Sequence, residues 1–151
     1  MEPPLRSQPS SIFRTSKATP TAPGACPDTD TRKEMSMGEE KFVENPDYPI
    51  ELSDDTISEA VKKYPFIVVD CWAEWCGPCR MLGPVIESLA KKHQGEIVFA
   101  KLDVEKNSQT AAEYGIRSIP NLLVFKDGVK VGDIVGAMPE DKLLERIRTF
   151  K

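Results

Sequence analysis

One short stretch, residues 66–72, constrains the fold of this chain more than any other. Its sequence F-I-V-V-D-C-W is apolar on both faces of an extended strand, since successive side chains point to opposite sides. A strand of this kind is typical of the centre of a parallel sheet that is covered on both faces. The run contains one acid, Asp70, directly after four strand-forming residues, and that position needs a chemical explanation.

Helical and strand patterns alternate from about residue 40 onwards. Ser53 is the expected N-cap of the first helix, and Pro65 ends it. Gly95 ends the second helix, inside which Pro84 should produce a kink. The order of elements predicts an α/β fold, with a central mixed β-sheet flanked by helices on both faces. The predicted helices span residues 54–64, 76–92, 108–114 and 139–150, and the predicted strands span residues 66–72, 97–104, 121–126 and 129–135.

The first 34 residues differ in composition from the rest of the chain. They contain six Pro, four Ser and five Thr but only three large apolar side chains, too few to offset the entropy of ordering the segment. We therefore predict a disordered extension over residues 1–38 and one domain over residues 40–151. We expect a cytoplasmic protein with an idle tail or a mis-assigned start, because Met35 and Met37 precede the domain. The alternative is an organelle, since a basic, hydroxyl-rich, acid-poor start is weakly similar to a transit peptide.

The composition argues against several functional classes. A net charge of −4 gives no sign of a nucleic-acid surface. No apolar stretch approaches the roughly 20 residues of a membrane helix. Four cysteines are too few for a disulfide-stapled scaffold, and with a single histidine they do not form a structural zinc motif. We expect no metal, no bound cofactor, no nucleic acid and no membrane partner.

Cys76 and Cys79 have the spacing of a redox motif. Cys76 falls at the turn from strand to helix, where unpaired backbone N–H groups and the helix dipole stabilise an anion. A lower thiol pKa raises the fraction of reactive thiolate. Cys79 lies three residues on, on the same side of the helix, so it can attack a mixed disulfide formed at Cys76. The alternative is a pair of buried, inert cysteines.

Several linked motifs resemble the thioredoxin family in the family's own order. They begin with D-C-W-A-E at 70–74 and W-C-G-P-C at 75–79. The resemblance covers roughly residues 40–151 and implies a thioredoxin-like fold. It also implies a monomeric protein-disulfide reductase without a bound cofactor. Such a protein receives electrons from a thioredoxin reductase, nicotinamide- or ferredoxin-linked, and passes them to disulfide-containing target proteins. The later motifs are A-K-L-D-V at 100–104, Y-G-I-R-S-I-P-N-L-L-V-F at 114–125, K-D-G at 126–128 and G-A at 136–137.

The resemblance implies roles for the redox residues. Cys76 would be the exposed nucleophile, and Cys79 the buried resolving thiol. Asp70 would be the buried carboxylate behind Cys79 that takes or relays its proton, with Lys101 as its ammonium partner. An acid at the end of a buried strand should have a raised pKa, which suits a general base near neutral pH. The alternative for Asp70 is a strand-end acid that reaches solvent.

The resemblance also implies a surface where target proteins dock. Pro120 would be a cis-proline opposite the disulfide, and Ile119 would offer backbone hydrogen bonds to an extended substrate. The apolar docking surface would comprise Trp75, Gly77, Pro78, Ile119, Gly136 and Ala137.

A few positions depart from the family's usual pattern. Cys71 stands where an aromatic residue is common, and we interpret it as a buried small apolar side chain. Ser118 and Asn121, where glycine and threonine are common, could tune substrate contact. Arg80 replaces a usual lysine and keeps its charge. Cys26, in the N-terminal extension, has no predictable partner.

Two other functions are compatible with such a fold. An oxidant or isomerase is the first, but isomerases resemble C-G-H-C, and the histidine that would stabilise the thiolate is absent here. A redox-inert binding module is the second, and the presence of both cysteines argues against it. The sequence therefore favours a disulfide reductase.

Overall fold

A computed structural model describes residues 42–151, where helices and strands alternate. The extension predicted over residues 1–38, with Cys26, lies outside the described residues, so its disorder stays a prediction. Within residues 42–151, each helix is too short or too polar to cross a membrane. The strands are β1 Ile50–Leu52, β2 Phe66–Trp72, β3 Val98–Asp103, β4 Asn121–Lys126 and β5 Val129–Val135, and the helices are α1 Ile57–Lys63, α2 Gly77–Lys92, α3 Ser108–Glu113 and α4 Glu140–Arg148.

The five strands form one mixed sheet in the order β1-β3-β2-β4-β5. β1, β3 and β2 run parallel, whereas β4 pairs with β2, and β5 with β4, in the antiparallel sense. The central position of β2 confirms what its apolar run predicts. In the register of this sheet, Asp70 lies between Lys101 on β3 and Leu122 on β4.

The sheet has a hydrophobic core on each face, and β2 contributes to both. Ile67, Val69 and Cys71 pack on the face that α1 covers. Phe66 and Val68 pack on the opposite face, together with apolar side chains of α2 and α4. Burying a Leu or Ile side chain contributes about 1.5–3 kcal/mol, so these two layers supply the main stabilisation. The α2 and α4 side chains in the second core include Leu82, Ile86, Leu89, Leu143 and Ile147.

The turn between β4 and β5 has the geometry that an Asp-Gly pair predicts. Asp127 has a φ of 50° and Gly128 a φ of 84°. A type I′ hairpin turn needs positive φ at both central residues, which Gly adopts freely and Asp tolerates. This turn fixes the hairpin at the edge of the sheet.

The start of α1 differs from the sequence prediction. Ser53 is not its N-cap, because the helix begins at Ile57 and Thr56 precedes it. The Ser53 carbonyl accepts hydrogen bonds from the N–H groups of Thr56 and Ile57, both at 3.0 Å. Asp54 is also used elsewhere, since its Oδ1 accepts a hydrogen bond of 2.7 Å from the N–H of Thr110 in α3. Residues 54–56, which the sequence assigned to the helix, therefore precede it, and Asp54 makes a tertiary contact with α3.

β1 is a strand that the sequence pattern did not predict. It has only three residues, with Ile50 and Leu52 buried and Glu51 exposed. So short an alternation carries almost no periodic signal. The strand exists because it pairs in parallel with β3, about 50 residues further along the chain.

Candidate functional site

The two motif cysteines lie at the junction of β2 and α2. Cys76 is the N-cap of α2, with an extended backbone, and its Sγ accepts a hydrogen bond of 3.2 Å from the N–H of Cys79. Pro78 lies in the first turn of the helix, where its missing N–H costs nothing. The structure therefore confirms that Cys76 stands at a helix N-terminus, where partial positive charge favours a thiolate.

Cys76 and Cys79 are joined by a disulfide bond, with their Cα atoms 5.3 Å apart. In this oxidised state Cys76 is 3% exposed and Cys79 is 4% exposed. The expectation that Cys76 is exposed and only Cys79 buried is thus wrong for this state. Both sulfur atoms pack into a small apolar cluster, because side chains from several elements surround the motif. That cluster contains Ala73, with Trp72, Val104 and Ile119 packed against it.

The segment around Pro120 contacts the disulfide from the β4 side. The Ile119–Pro120 peptide bond is cis. Ile119 packs against the cluster that holds the two cysteines. The Pro120 carbonyl accepts a hydrogen bond of 2.8 Å from the N–H of Gly136, which follows β5. Two of the segments assigned to target docking are therefore tied to each other.

The surface around the motif is exposed and apolar. Trp75 is 67% exposed, although its Nε1 donates a hydrogen bond of 2.9 Å to Glu105. Gly77, Pro78 and Ala137 are exposed as well. A fixed, exposed indole next to a disulfide is well suited to contact with another protein. The Glu105 bond, which no sequence motif indicated, sets the orientation of this ring.

Asp70 is a buried acid with an unusual titration. It is 1% exposed, and its Oδ1 has no hydrogen-bond partner within residues 42–151. Burial raises the pKa of Asp70 to about 7, and the positive charge of Lys101 opposes this rise. The raised pKa confirms the prediction from the strand, and the burial excludes the alternative of an acid that reaches solvent. Since β2 side chains alternate, Asp70 lies on the same sheet face as Phe66 and Val68, the face that α2 covers.

Lys101 lies beside Asp70 in the sheet but pairs with another acid. The two residues are register partners of β2 and β3. The Lys101 Nζ is 3.3 Å from Oε1 of Glu87 on α2, and this is the ion pair that Lys101 forms within the described part of the chain. Lys101 thus acts on Asp70 by its charge through space rather than by direct pairing. Sequence reasoning missed Glu87, because no motif marks it.

The thiol of Cys71 is chemically inert in this fold. It is fully buried on the face that α1 covers, as expected for a small apolar side chain. Burial, with a smaller contribution from the charge of Asp70, raises the pKa of its thiol to about 12. A thiol of this kind carries almost no thiolate at neutral pH.

The side chains of the described residues that could bind a metal ion are those of His, Cys, Asp and Glu. Residues 42–151 contain no group of three or more His, Cys, Asp or Glu side chains placed to hold a metal ion.

The chain is similar to proteins of the thioredoxin family in sequence and in structure. The family model described as Thioredoxin matches residues 48–149. A thioredoxin from Chlorobaculum thiosulfatiphilum is 51% identical over 81 residues, 54% of this chain and 75% of that protein. The "Thioredoxin M-type, chloroplastic" of Pisum sativum is 45% identical over 84 residues, 56% of this chain and 49% of that protein. Among solved structures, a mutant thioredoxin from Halobacterium salinarum NRC-1 is 34% identical, with a TM-score of 0.66 over 72% of this chain and 96% of that one.

These matches agree with the sheet order and with the disulfide at the start of α2. Thioredoxins use a redox-active disulfide in place of a bound cofactor, and here that disulfide is Cys76–Cys79. The family implies two kinds of partner, a reductase that supplies electrons and target proteins that contain disulfides. The chain belongs to the thioredoxin family and is a thiol–disulfide oxidoreductase of the protein-disulfide reductase type.

Proposed function

We propose that Cys76 is the nucleophile and Cys79 the resolving thiol, and that a thioredoxin reductase returns the pair to the dithiol state. The single observation that carries this assignment is the hydrogen bond from the Cys79 N–H to the Cys76 Sγ at the N-cap of α2. A sulfur that accepts a backbone hydrogen bond at a helix N-terminus is stabilised as a thiolate. Cys79 is the third residue of the helix, so its sulfur does not occupy the N-cap position.

The reaction then proceeds in two exchanges. The Cys76 thiolate attacks one sulfur of the target disulfide, the target S–S bond breaks, and its other sulfur leaves as a thiolate that takes up a proton. Cys79 then loses its proton and attacks the Cys76 sulfur. The mixed disulfide breaks, the second target sulfur leaves and is protonated, and the Cys76–Cys79 disulfide remains. Two electrons and two protons from the reductase restore the dithiol.

We propose that Asp70 accepts the proton that Cys79 loses in the second exchange. The carboxyl group lies on the sheet face that α2 covers, and its pKa of about 7 makes both of its protonation states available at neutral pH. Asp70 is buried away from bulk water, so we expect it to exchange its proton with Cys79 rather than directly with solvent. Lys101, with its charge nearby, partly stabilises the carboxylate.

We propose that targets dock on the exposed apolar surface around Trp75, with Gly77, Pro78, Gly136 and Ala137. Ile119 would offer its backbone to an extended target segment beside Pro120. Support comes from the exposure of Trp75 and from the packing of Ile119 against the disulfide cluster. A target docked on this surface would bring its disulfide to the side of the molecule where Cys76 lies.

The test is an insulin-disulfide reduction assay with alternative electron donors. We expect turnover with a nicotinamide-linked or a ferredoxin-linked reductase, and the donor that supports it identifies the partner class. Cys76→Ser should abolish turnover with both donors. If neither donor reduces the disulfide while a chemical dithiol does, the proposed reductase partner is wrong and only the exchange chemistry stands.

We further propose a monomer, located in the cytoplasm. An organelle is the alternative, which the composition of residues 1–34 and the chloroplastic name of the pea relative support. Light scattering measures the oligomeric state. Imaging of fluorescent fusions, with and without residues 1–38, tests the location: an organelle signal that is lost on truncation identifies a transit peptide, and an unchanged cytoplasmic signal identifies an idle tail.

A further inference from the structure

Lys101 stands between two carboxyl groups and pairs with the outer one. Its register partner on β2 is the buried Asp70, whose Oδ1 has no partner within residues 42–151. Its Nζ instead lies 3.3 Å from Oε1 of Glu87. The Glu87 side chain is 57% exposed and that of Lys101 is 23% exposed, so the pair is reached by solvent.

The Lys101 ammonium group lies beside α2. A Cβ built on Gly83 would be 3.9 Å from the Lys101 Nζ, an ordinary contact distance, so the lysine reaches the helix near Gly83. Glu87 follows Gly83 by one helical turn and therefore lies on the same side of α2. The helix thus places an anion, Glu87, beside the Lys101 ammonium group.

The other described residues beside Asp70 supply no cation that would take the place of Lys101. β4 presents the apolar Leu122, and α2 presents Cys79 and Glu87 on this face. The other charged residues that line clefts together with Lys101 are Glu51, its register partner on β1, and Asp47, Lys91, Asp103 and Lys106. Of these, Asp103 pairs with Lys106 at 3.3 Å. Within residues 42–151, Lys101 is the cation whose charge opposes the rise of the Asp70 pKa.

We propose that Glu87 is a positioning residue for the proton transfer between Cys79 and Asp70, because it holds the Lys101 ammonium near the surface and leaves Asp70 without a direct counter-ion. This inference rests on the function proposed for Asp70. Glu87 touches neither the cysteines nor the substrate and acts only through Lys101. It keeps Asp70 able to hold a proton at neutral pH.

Removal of the Glu87 charge should lower the pKa of Asp70. In Glu87→Gln, Lys101 has no competing carboxylate on α2 and can turn toward Asp70, which stabilises the charged form. The pair is solvent-exposed, so the effect is modest, and we expect a downward shift of about half a pH unit. The pH at which turnover reaches half of its maximum should move in the same direction.

The experiment measures the titration midpoint of the Asp70 carboxyl carbon by NMR in the oxidised full chain. Glu145→Gln on α4 is the matched control, since it removes one exposed negative charge that forms no ion pair with Lys101 in the described part of the chain. Lys101→Gln and the double variant Lys101→Gln/Glu87→Gln complete a cycle. We expect a shift in Glu87→Gln, none in Glu145→Gln, and a clearly smaller effect of Glu87→Gln when Lys101 is absent.

Two outcomes would overturn the inference. An unchanged Asp70 midpoint in Glu87→Gln would show that Glu87 does not influence the acid. An equal shift with and without Lys101 would show that Glu87 acts by its own charge and does not position the lysine. The NMR midpoint needs no turnover, so either result is distinguishable from a failure of the proposed function, which the cysteine variants test in the insulin assay.

Discussion

At the scale of single residues, the burial of Asp70 without a direct ion-pair partner decides its protonation at neutral pH. Asp70 is 1% exposed, and Lys101, the nearby cation, is paired with Glu87. Desolvation disfavours the carboxylate more than the Lys101 ammonium favours it, so the pKa of Asp70 rises to about 7. The fold therefore holds an acid whose charged form is unfavourable at the position that we propose accepts the proton of Cys79.

Asp70→Asn should stabilise the protein at neutral and alkaline pH. The folded pKa of about 7 lies above the ordinary value of 3.8, so the folded state binds more protons than the unfolded state between these values. The cost of the acid is absent below pH 3.8 and grows until pH 7. We expect a gain of about 4 kcal/mol at pH 8, at 1.36 kcal/mol per unit of pKa shift, and almost none at pH 3.5.

The measurement is denaturant unfolding of both proteins at each pH, together with turnover. Turnover of Asp70→Asn should fall near neutral pH, because the amide cannot accept the proton of Cys79. A variant that is less stable than the wild type at pH 8 and equally active would show that Asp70 is a structural acid.

The cysteine variants should separate nucleophile from resolving thiol. Cys79→Ser should accumulate a mixed disulfide between Cys76 and the target, because the second exchange cannot occur. Cys76→Ser should trap nothing and show no turnover. Mass spectrometry of the trapped species identifies the sulfur involved. In the reduced wild type, limiting alkylation should label Cys76 first, and preferential labelling of Cys79 would reverse the assignment.

At the scale of elements, the end of β2 and the start of α2 act together. The strand holds Asp70 in the core, and the helix that follows presents Cys76 at its N-cap. Gly77 and Pro78 allow the chain to enter the helix at once, because Pro fits the first turn. The redox pair and its acid are thus fixed by two adjacent elements with a short connection.

The residues at the start of α2 should set the redox potential of the Cys76–Cys79 pair. Thioredoxin is itself the reference case, at about −270 mV, and we take that value over because Gly77-Pro78 is the same motif. We expect a potential within about 30 mV of it. Equilibration with a glutathione or dithiothreitol redox buffer measures the potential. A value above about −200 mV would place the protein with the disulfide isomerases.

At the scale of the whole molecule, the described part of the chain begins with a residue of the core. Phe42 is 6% exposed, its ring packs edge-on against Tyr64, and its carbonyl accepts a hydrogen bond of 2.7 Å from Lys63. The segment before it is set apart by composition alone. The boundary of a functional truncation therefore lies before Phe42.

Deletion of residues 1–38 should leave activity and melting temperature almost unchanged, because the predicted extension buries too little apolar surface to support the domain. Deletion of residues 1–45 is the matched control. It removes Phe42 from the core and should destabilise the protein by about 3–5 kcal/mol, as the loss of a buried Phe side chain does. Thermal unfolding and the insulin assay report both. A large loss from the shorter deletion would contradict the predicted extension.

The sequence by itself determined the local parts of this protein. The two-sided apolar run predicted β2 as a central strand, and the spacing of Cys76 and Cys79 predicted a redox pair at a helix start. The acid inside the run predicted a raised pKa. These features depend on neighbours within a few residues, so periodicity and helix electrostatics are enough to derive them.

The tertiary structure alone decided which distant groups meet. β1 is a strand only because β3 pairs with it, and Cys76 is buried in the oxidised state within a cluster against which Val104 and Ile119 pack. The Lys101 ammonium pairs with Glu87 of α2 rather than with Asp70, because the packing of α2 on the sheet brings Glu87 next to β3. Each of these contacts joins residues that are far apart in the chain, and no local pattern encodes such a contact. Their geometry is set by the packing of the whole sheet and its helices.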